Sequence, residues 1–148
     1  MRVFVYWNLH RGGFSLRALD GSAKGRVVAH AASVLLVNVE MRVGHASRQR
    51  IAAGAHKEVH AGFAGTLHAF EGTLTDQGRA AGLVPSWNCD AEAFTEIETL
   101  WEPITYNPKR DAGFVSRLDG RLIETAEAVH GRTRQDGKAD CRAVLPVL

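Results

Sequence analysis

With 148 residues, 45% of them hydrophobic and 23% charged, the chain has the size and balance of one soluble globular domain, 1–148, able to bury a core without staples. It contains no run of about 18 apolar residues, which excludes a membrane-spanning helix, and its two cysteines, Cys89 and Cys141, lack the CxxC spacing of a zinc cluster. The net charge of +2 conceals an uneven spread: residues 1–70 carry nine Lys/Arg against three Asp/Glu, residues 71–102 one against seven, and residues 103–148 eight against six. A basic half suits phosphate, and an acidic segment suits a basic surface, including that of a second copy in a homo-oligomer.

Taken in order, Arg2 to Asn8 alternates Val3, Val5 and Trp7 with Phe4, Tyr6 and Asn8. Apolar or aromatic side chains on both faces suggest a central strand rather than a signal peptide. His10-Arg11-Gly12-Gly13 is a turn, and Phe14 to Arg17 returns as a second strand. After the loop Asp20–Gly25, Arg26 to Ala31 and Ser33 to Val43 are expected as two strands. In the second, Leu35, Val37, Val39, Met41 and Val43 are expected to share one buried face.

The stretch Gly44 to Leu67 stands out. Ser47 suits a helix N-cap, Arg48 to Ala53 are acceptable helix formers, and Gly54 is a stop, which predicts a short basic helix at about residues 47–55. Between Met41 and Lys57 lie Arg42, Arg48, Arg50, Lys57 and two histidines, with no carboxylate. Cations near a helix N-terminus are unfavourable unless an anion lies opposite. From Lys57 to Leu67 the period changes to that of a strand, with Val59, Phe63 and Leu67 toward the core and His56, Glu58 and His60 on the other face. Two histidines and a glutamate on one strand face are a weak metal signal, and HKEVH is not the HExxH signature. No metal site and no cofactor is assigned.

Residues 71–90 are rich in turn formers, with a helical turn expected at Arg79 to Leu83 and Trp87 in a polar loop. Ala91 to Thr105 begins as a helical turn and finishes as a strand, followed by the turn Tyr106-Asn107-Pro108. Asp119-Gly120 marks a hairpin, and Ala128–His130 and Cys141–Leu148 are last strands. The expected fold is therefore α+β, a mainly antiparallel sheet with the short basic helix packed on it.

Three stretches, YWNLHRGGFSL, the central GRVVAHAASVLLVNVEMRVGHASRQRIAAGAHKEVHAGFAGTL and ITYNPKRDAGFV, carry a resemblance. Asn8-Leu9-His10, Arg48–Arg50 with Val59-His60-Ala61, and Tyr106-Asn107-Pro108 with Phe114 resemble short motifs of small, mostly uncharacterised accessory proteins of tailed bacteriophages and prophages. The resemblance implies a viral origin, action in the cytoplasm of the bacterial host, and a role in host takeover or in countering defence.

Three functions compete. The first is a binding protein for a phosphate-bearing ligand, nucleic acid or nucleotide, with Arg48, Arg50, His56, Lys57, His60 and Tyr106 as ligand contacts. The second is an inhibitor docking on a host bacterial protein through the acidic 71–102 segment, with Trp87 and Trp101 as anchors. The third is a small nucleotide-processing enzyme using His56 or His60 as acid or base. Against it, GxSxG, P-loop, GxGxxG and paired HxT motifs are all missing, and Pro85 to Cys89 offers one thiol where a deaminase needs two. The reading leans away from an enzyme, and no catalytic residue is assigned.

Overall fold

The computed structural model of the chain describes residues 1–8, 10–43, 61–85, 100–106 and 114–146. They form strands β1 (Arg2–Asn8), β2 (Gly13–Ala18), β3 (Val27–Val43) and β4 (Ala61–Leu74), helix α1 (Asp76–Ala80), then β5 (Glu102–Tyr106), β6 (Phe114–Ser116), β7 (Leu122–Ile123), β8 (Thr125–Thr133) and β9 (Ala139–Val144). The nine strands make one antiparallel sheet in the order β2-β1-β4-β3-β8-β9-β5-β6-β7, with β2 also paired to β3.

That extra pairing closes a circuit. β1 pairs β2, β2 pairs the start of β3, β3 pairs β4, and β4 returns to β1. Val3, Val5, Phe14 and Leu16 fill its interior, each 0 or 1% exposed. The remaining strands run β8-β9-β5-β6-β7, and Glu124 alone separates β7 from β8. The β3–β8 ladder, Ser33↔Arg132 to Glu40↔Thr125, fuses the two halves. Phe63 of β4 and Phe114 of β6, 4.7 Å between ring centroids, carry the core across. A second cluster, Leu35, Ala69, Trp101 and Ala128, lies apart from this core.

This corrects the expected α+β class. The fold is nearly all antiparallel sheet, and the helix found among the described residues is the five-residue α1. The predicted helix at 47–55 lies outside the described residues. In the first half, strands that close on one another bury their apolar faces against each other, so no packed helix is needed to cover the sheet. The expected turn at Arg79–Leu83 starts earlier, because the Thr75 side chain caps α1 by accepting from Gly78 N–H at 3.2 Å and donates to the Val27 carbonyl at 2.7 Å.

The two strands expected over residues 26–43 are one. β3 runs 17 residues and changes partner from β2 to β8 where its register shifts, between Ala31 and Ser33. Against β4 two more shifts follow, one between Leu35 and Leu36 and one spanning Val37 to Glu40, around Asn38 at φ 52°. There β3 has one residue more than β4, and the extra residue reverses which side chains face in. Leu35 and Val37 accordingly pack with the second cluster, whereas Val39 and Met41 belong to the main core. The single buried face expected for Leu35, Val37, Val39 and Met41 is thus split between two faces.

Candidate functional site

Of the residues singled out from the sequence, Arg48, Arg50, His56, Lys57, His60 and Trp87 lie outside the described residues. Tyr106 ends β5, its backbone paired with Phe114. Trp101, expected as a docking anchor, is only 7% exposed and packs with Leu35, Ala69 and Ala128. Its surface is spent inside the fold. Arg42, one of the cations with no carboxylate expected nearby, is held by Glu40 just outside that stretch, through Nε at 3.2 Å and Nη2 at 3.0 Å.

The described residues nonetheless bring cations and aromatic rings together on the outer face of the first circuit. Because β1 alternates, placing Val3 and Val5 inside puts Phe4, Tyr6 and Asn8 outside. The register then aligns the positions of this face across four strands, with Ser15 and Ala64 among them fully buried. Arg42, Gly62, Tyr6, Ser15 and His30 form one row, and Glu40, Ala64, Phe4 and Arg17 the next. The Phe4 and Tyr6 rings lie 6.0 Å apart and 28° from parallel. The Arg17 guanidinium carbon stands 5.8 Å from the Tyr6 ring centroid, within cation–π range. Gly62 is required here: a Cβ at that position falls 2.1 Å from the Val5 carbonyl oxygen and 2.9 Å from Phe4 Cζ, so Phe4 lies across a bare backbone.

A hydrogen-bond chain fixes the row beneath. Asn8 Nδ2 donates to Ser15 Oγ at 3.2 Å, and Ser15 Oγ lies 3.1 Å from His30 Nδ1. Ser15 Oγ has a second lone pair as well as its own proton, so the direction of its bond to Nδ1 follows the tautomer of the His30 ring. The pKa of His30 is pushed below its ordinary value, first by burial and then by the positive charge of Arg11. Asn8 Oδ1 in turn accepts from the backbone N–H of His10 and Arg11, holding the β1–β2 turn. Ser15 is 0% exposed, so this serine–histidine contact ties three strands together and presents no nucleophile.

Charge compensation differs between the two halves of the chain. Arg79, Arg121, Arg132, Arg134 and Arg142 each meet a carboxylate. Among the described residues no ion pair is found for Arg2, Arg11, Arg17, Lys24 or Arg26 in the first half, against Arg117 and Lys138 in the second. No group of three or more His, Cys, Asp or Glu there is placed to hold a metal ion, and no helix there is long and apolar enough to cross a membrane. Sequence reading missed this band because aromatic residues on both faces of β1 suggest a strand buried on both sides. The available signal was Arg17, an outward cation in the strand that pairs with β1.

Comparison with known proteins adds the chain's origin. The family described as Mycobacterium phage L5 gene 82 protein matches residues 1–135. The chain is 41% identical over 73 residues to the gene 82 protein of Mycobacterium phage L5, covering 45% of this chain and 58% of that relative, so the matched part spans little more than half of the relative's length. No solved structure matches. As the short motifs implied, this is a bacteriophage protein, and it belongs to the family of the Mycobacterium phage L5 gene 82 protein.

Proposed function

We propose that the chain is a phage accessory protein that acts within the host cytoplasm, in host takeover or against host defence, by binding a phosphate-bearing ligand, nucleic acid or nucleotide. The observation that carries this reading is the clustering of Arg11 and Arg17 around Tyr6 and His30 with no carboxylate partner among the described residues. Guanidinium groups pair well with phosphate, and an aromatic ring beside them receives a base or a sugar face. Arg48, Arg50, His56, Lys57, His60 and Tyr106 are proposed as further contacts. The stretch holding the first five connects Val43 to Ala61, two residues that pair with each other beside Gly62 and Tyr6. Three or four charge-assisted contacts at about 1.5–3 kcal/mol each leave room for micromolar affinity after ordering costs.

The test is a titration of fluorescent oligonucleotide and of labelled nucleotide across salt from about 50 to 200 mM, where phosphate-driven affinity falls steeply. The expected result is salt-dependent binding with a smaller slope in the Arg11→Gln/Arg17→Gln and Arg48→Gln/Arg50→Gln variants. Absence of binding, or binding indifferent to both pairs and to salt, overturns the reading. A stoichiometric complex with a host protein, retained in both variants and lost in Trp87→Ala, would replace it with the inhibitor.

A further inference from the structure

We infer that the cleft beside β7 takes an extended, basic segment of a partner protein, which adds to the sheet as a strand against Leu122. The strand order leaves one place for such an addition. β2 stands at one end of the order but is closed by its pairing to β3, whereas β7 at the other end pairs with β6 alone. The register runs Phe114↔Ile123 and Val115↔Leu122, and Ser116 N–H donates to the Arg121 carbonyl at 2.9 Å. Arg121 and Ile123 therefore turn their backbone groups to β6, and the N–H and carbonyl of Leu122 point away from it. Among the described residues no hydrogen bond is found for either group. Their neighbours are engaged: the Glu124 carbonyl accepts from Met41 N–H, and Gly120 N–H donates to the Ser116 carbonyl, both at 2.9 Å. The opening is one residue wide, which suits a single antiparallel pair that exchanges both bonds.

A cleft of about 560 Å³ lies here, lined by Arg121 to Thr125 together with Glu102, Leu145 and Pro146. It marks a missing corner of the sheet. The β8–β9 ladder stops at Ala128↔Val144, and Pro146, without an N–H, cannot carry it on toward Ala126. Ile123, 3% exposed, and Leu122, 47% exposed, give the cleft an apolar lining with Leu145 and Pro146. Five successive residues span about 16 Å at the usual strand rise, room for an extended segment of similar length. Charge then selects the partner. Arg121 is held by both carboxylate oxygens of Glu102, at 2.8 and 2.7 Å, and by Asp119 at 3.6 Å. Among the described residues no ion pair is found for Glu124. Three carboxylates against one guanidinium leave the surroundings negative, so a strand that brings Lys or Arg to Glu124 is attracted and an acidic one is repelled. Main-chain bonds to Leu122 supply the footing, and alternate side chains meet the cleft.

The experiment titrates isotope-labelled protein with three capped pentapeptides: Val-Lys-Val-Lys-Val, Val-Glu-Val-Glu-Val, and the lysine peptide with its backbone N-methylated. The lysine peptide is expected to shift the amide signals of Leu122, Ile123 and Glu124 on a saturable curve. The glutamate peptide should bind ~10-fold more weakly through repulsion, and the N-methylated one ~10-fold more weakly through lost main-chain bonds. Glu124→Gln should weaken the lysine peptide ~3-fold, the size of an exposed ion pair. Equal binding of the lysine and glutamate peptides, or an N-methylated peptide as tight as its parent, overturns the proposal. So does binding that shifts only signals away from β7, or no binding at all. Self-association in sedimentation that Leu122→Asp abolishes, with no peptide bound, would assign the edge to a second copy instead. The comparison among peptides uses wild-type protein alone, so a misfolded variant does not blunt it.

Discussion

Ser15 Oγ lies 3.1 Å from His30 Nδ1 while accepting a hydrogen bond from Asn8, so one fully buried hydroxyl joins β1, β2 and β3. Removing it leaves an amide donor and a ring nitrogen without their partner. Ser15→Ala is therefore expected to destabilise the protein by ~1–3 kcal/mol, the range for unsatisfied buried polar groups. Urea denaturation reads this as a lower midpoint at unchanged slope. A variant as stable as wild type would show that water replaces the hydroxyl without loss.

The same histidine predicts a pH dependence. His30 takes up its proton less readily in the folded chain than at its ordinary value of 6.5, because of burial and Arg11. As pH falls through that value the unfolded chain binds the proton first, so the contribution is full above it and is lost on acidification. The loss ends where folded His30 also protonates. Thermal midpoints measured below neutrality should thus fall less steeply in His30→Gln than in wild type, and Arg11→Gln should narrow the window. Parallel curves for all three proteins would remove His30 as the origin.

Gly62 sets how closely β4 approaches β1. Its substitution by alanine drives a methyl to 2.1 Å from the Val5 carbonyl oxygen, a backbone atom that cannot swing aside. Gly62→Ala is expected to cost ~1–3 kcal/mol as an overpacking change, and to displace the Phe4 ring. Gly82→Ala provides a contrast: its cost comes from a φ of 78° and not from crowding, since nothing lies within 4 Å. Urea denaturation of the two variants reads both costs, and a Gly62→Ala variant as stable as wild type would show that β1 and β4 move apart without loss.

Cys141 of β9 packs against the main core, and burial, followed by the charge of Asp140, pushes its thiol up to about 12. A thiol held that far above the ordinary range is almost entirely protonated at pH 8, and its alkylation should be ~10³-fold slower than that of a free cysteine. In a Cys89→Ser background, mass spectrometry after brief iodoacetamide treatment is expected to show unmodified protein, with full labelling in urea. Rapid labelling without denaturant would place the sulfur at the surface.

Much of the strand plan is legible in the residues themselves. Arg2–Asn8 declares its alternation, Gly12 and Gly120 sit at positive φ in the turns their neighbours suggest, and Asp119-Gly120 separates β6 from β7 as a hairpin signal should. The closure of β1 to β4 is not legible. It depends on β3 pairing β2 with one half of its length and β8 with the other, a relation among distant strands that no local pattern records. That closure decides whether Phe4 and Tyr6 face a second layer or the outside. The band is therefore not legible in the sequence, whereas the stretch of Arg48 and Arg50 shows its charge directly. Trp101, an anchor of the acidic 71–102 segment in the sequence reading, packs with Leu35, Ala69 and Ala128 of β3, β4 and β8, a cluster of distant residues that no local pattern records.

Asn38 is where alternation is reversed, and it can be tested directly. It holds φ 52° within β3, the one described non-glycine residue at positive φ, and asparagine tolerates that region better than most side chains. Asn38→Gly is expected to be neutral or stabilising by a few tenths of a kcal/mol, whereas Asn38→Val should destabilise by ~1–2 kcal/mol because a β-branched side chain resists this backbone. Deleting Asn38 is the sharper test. Without the extra residue, Val39 and Met41 would turn away from the main core, where they are 3% and 7% exposed, and Glu40 would turn toward it. The deletion should abolish cooperative unfolding. A deletion variant that unfolds as cooperatively as wild type would mean that the reversal of faces at Asn38 is not what places Val39 and Met41 inside.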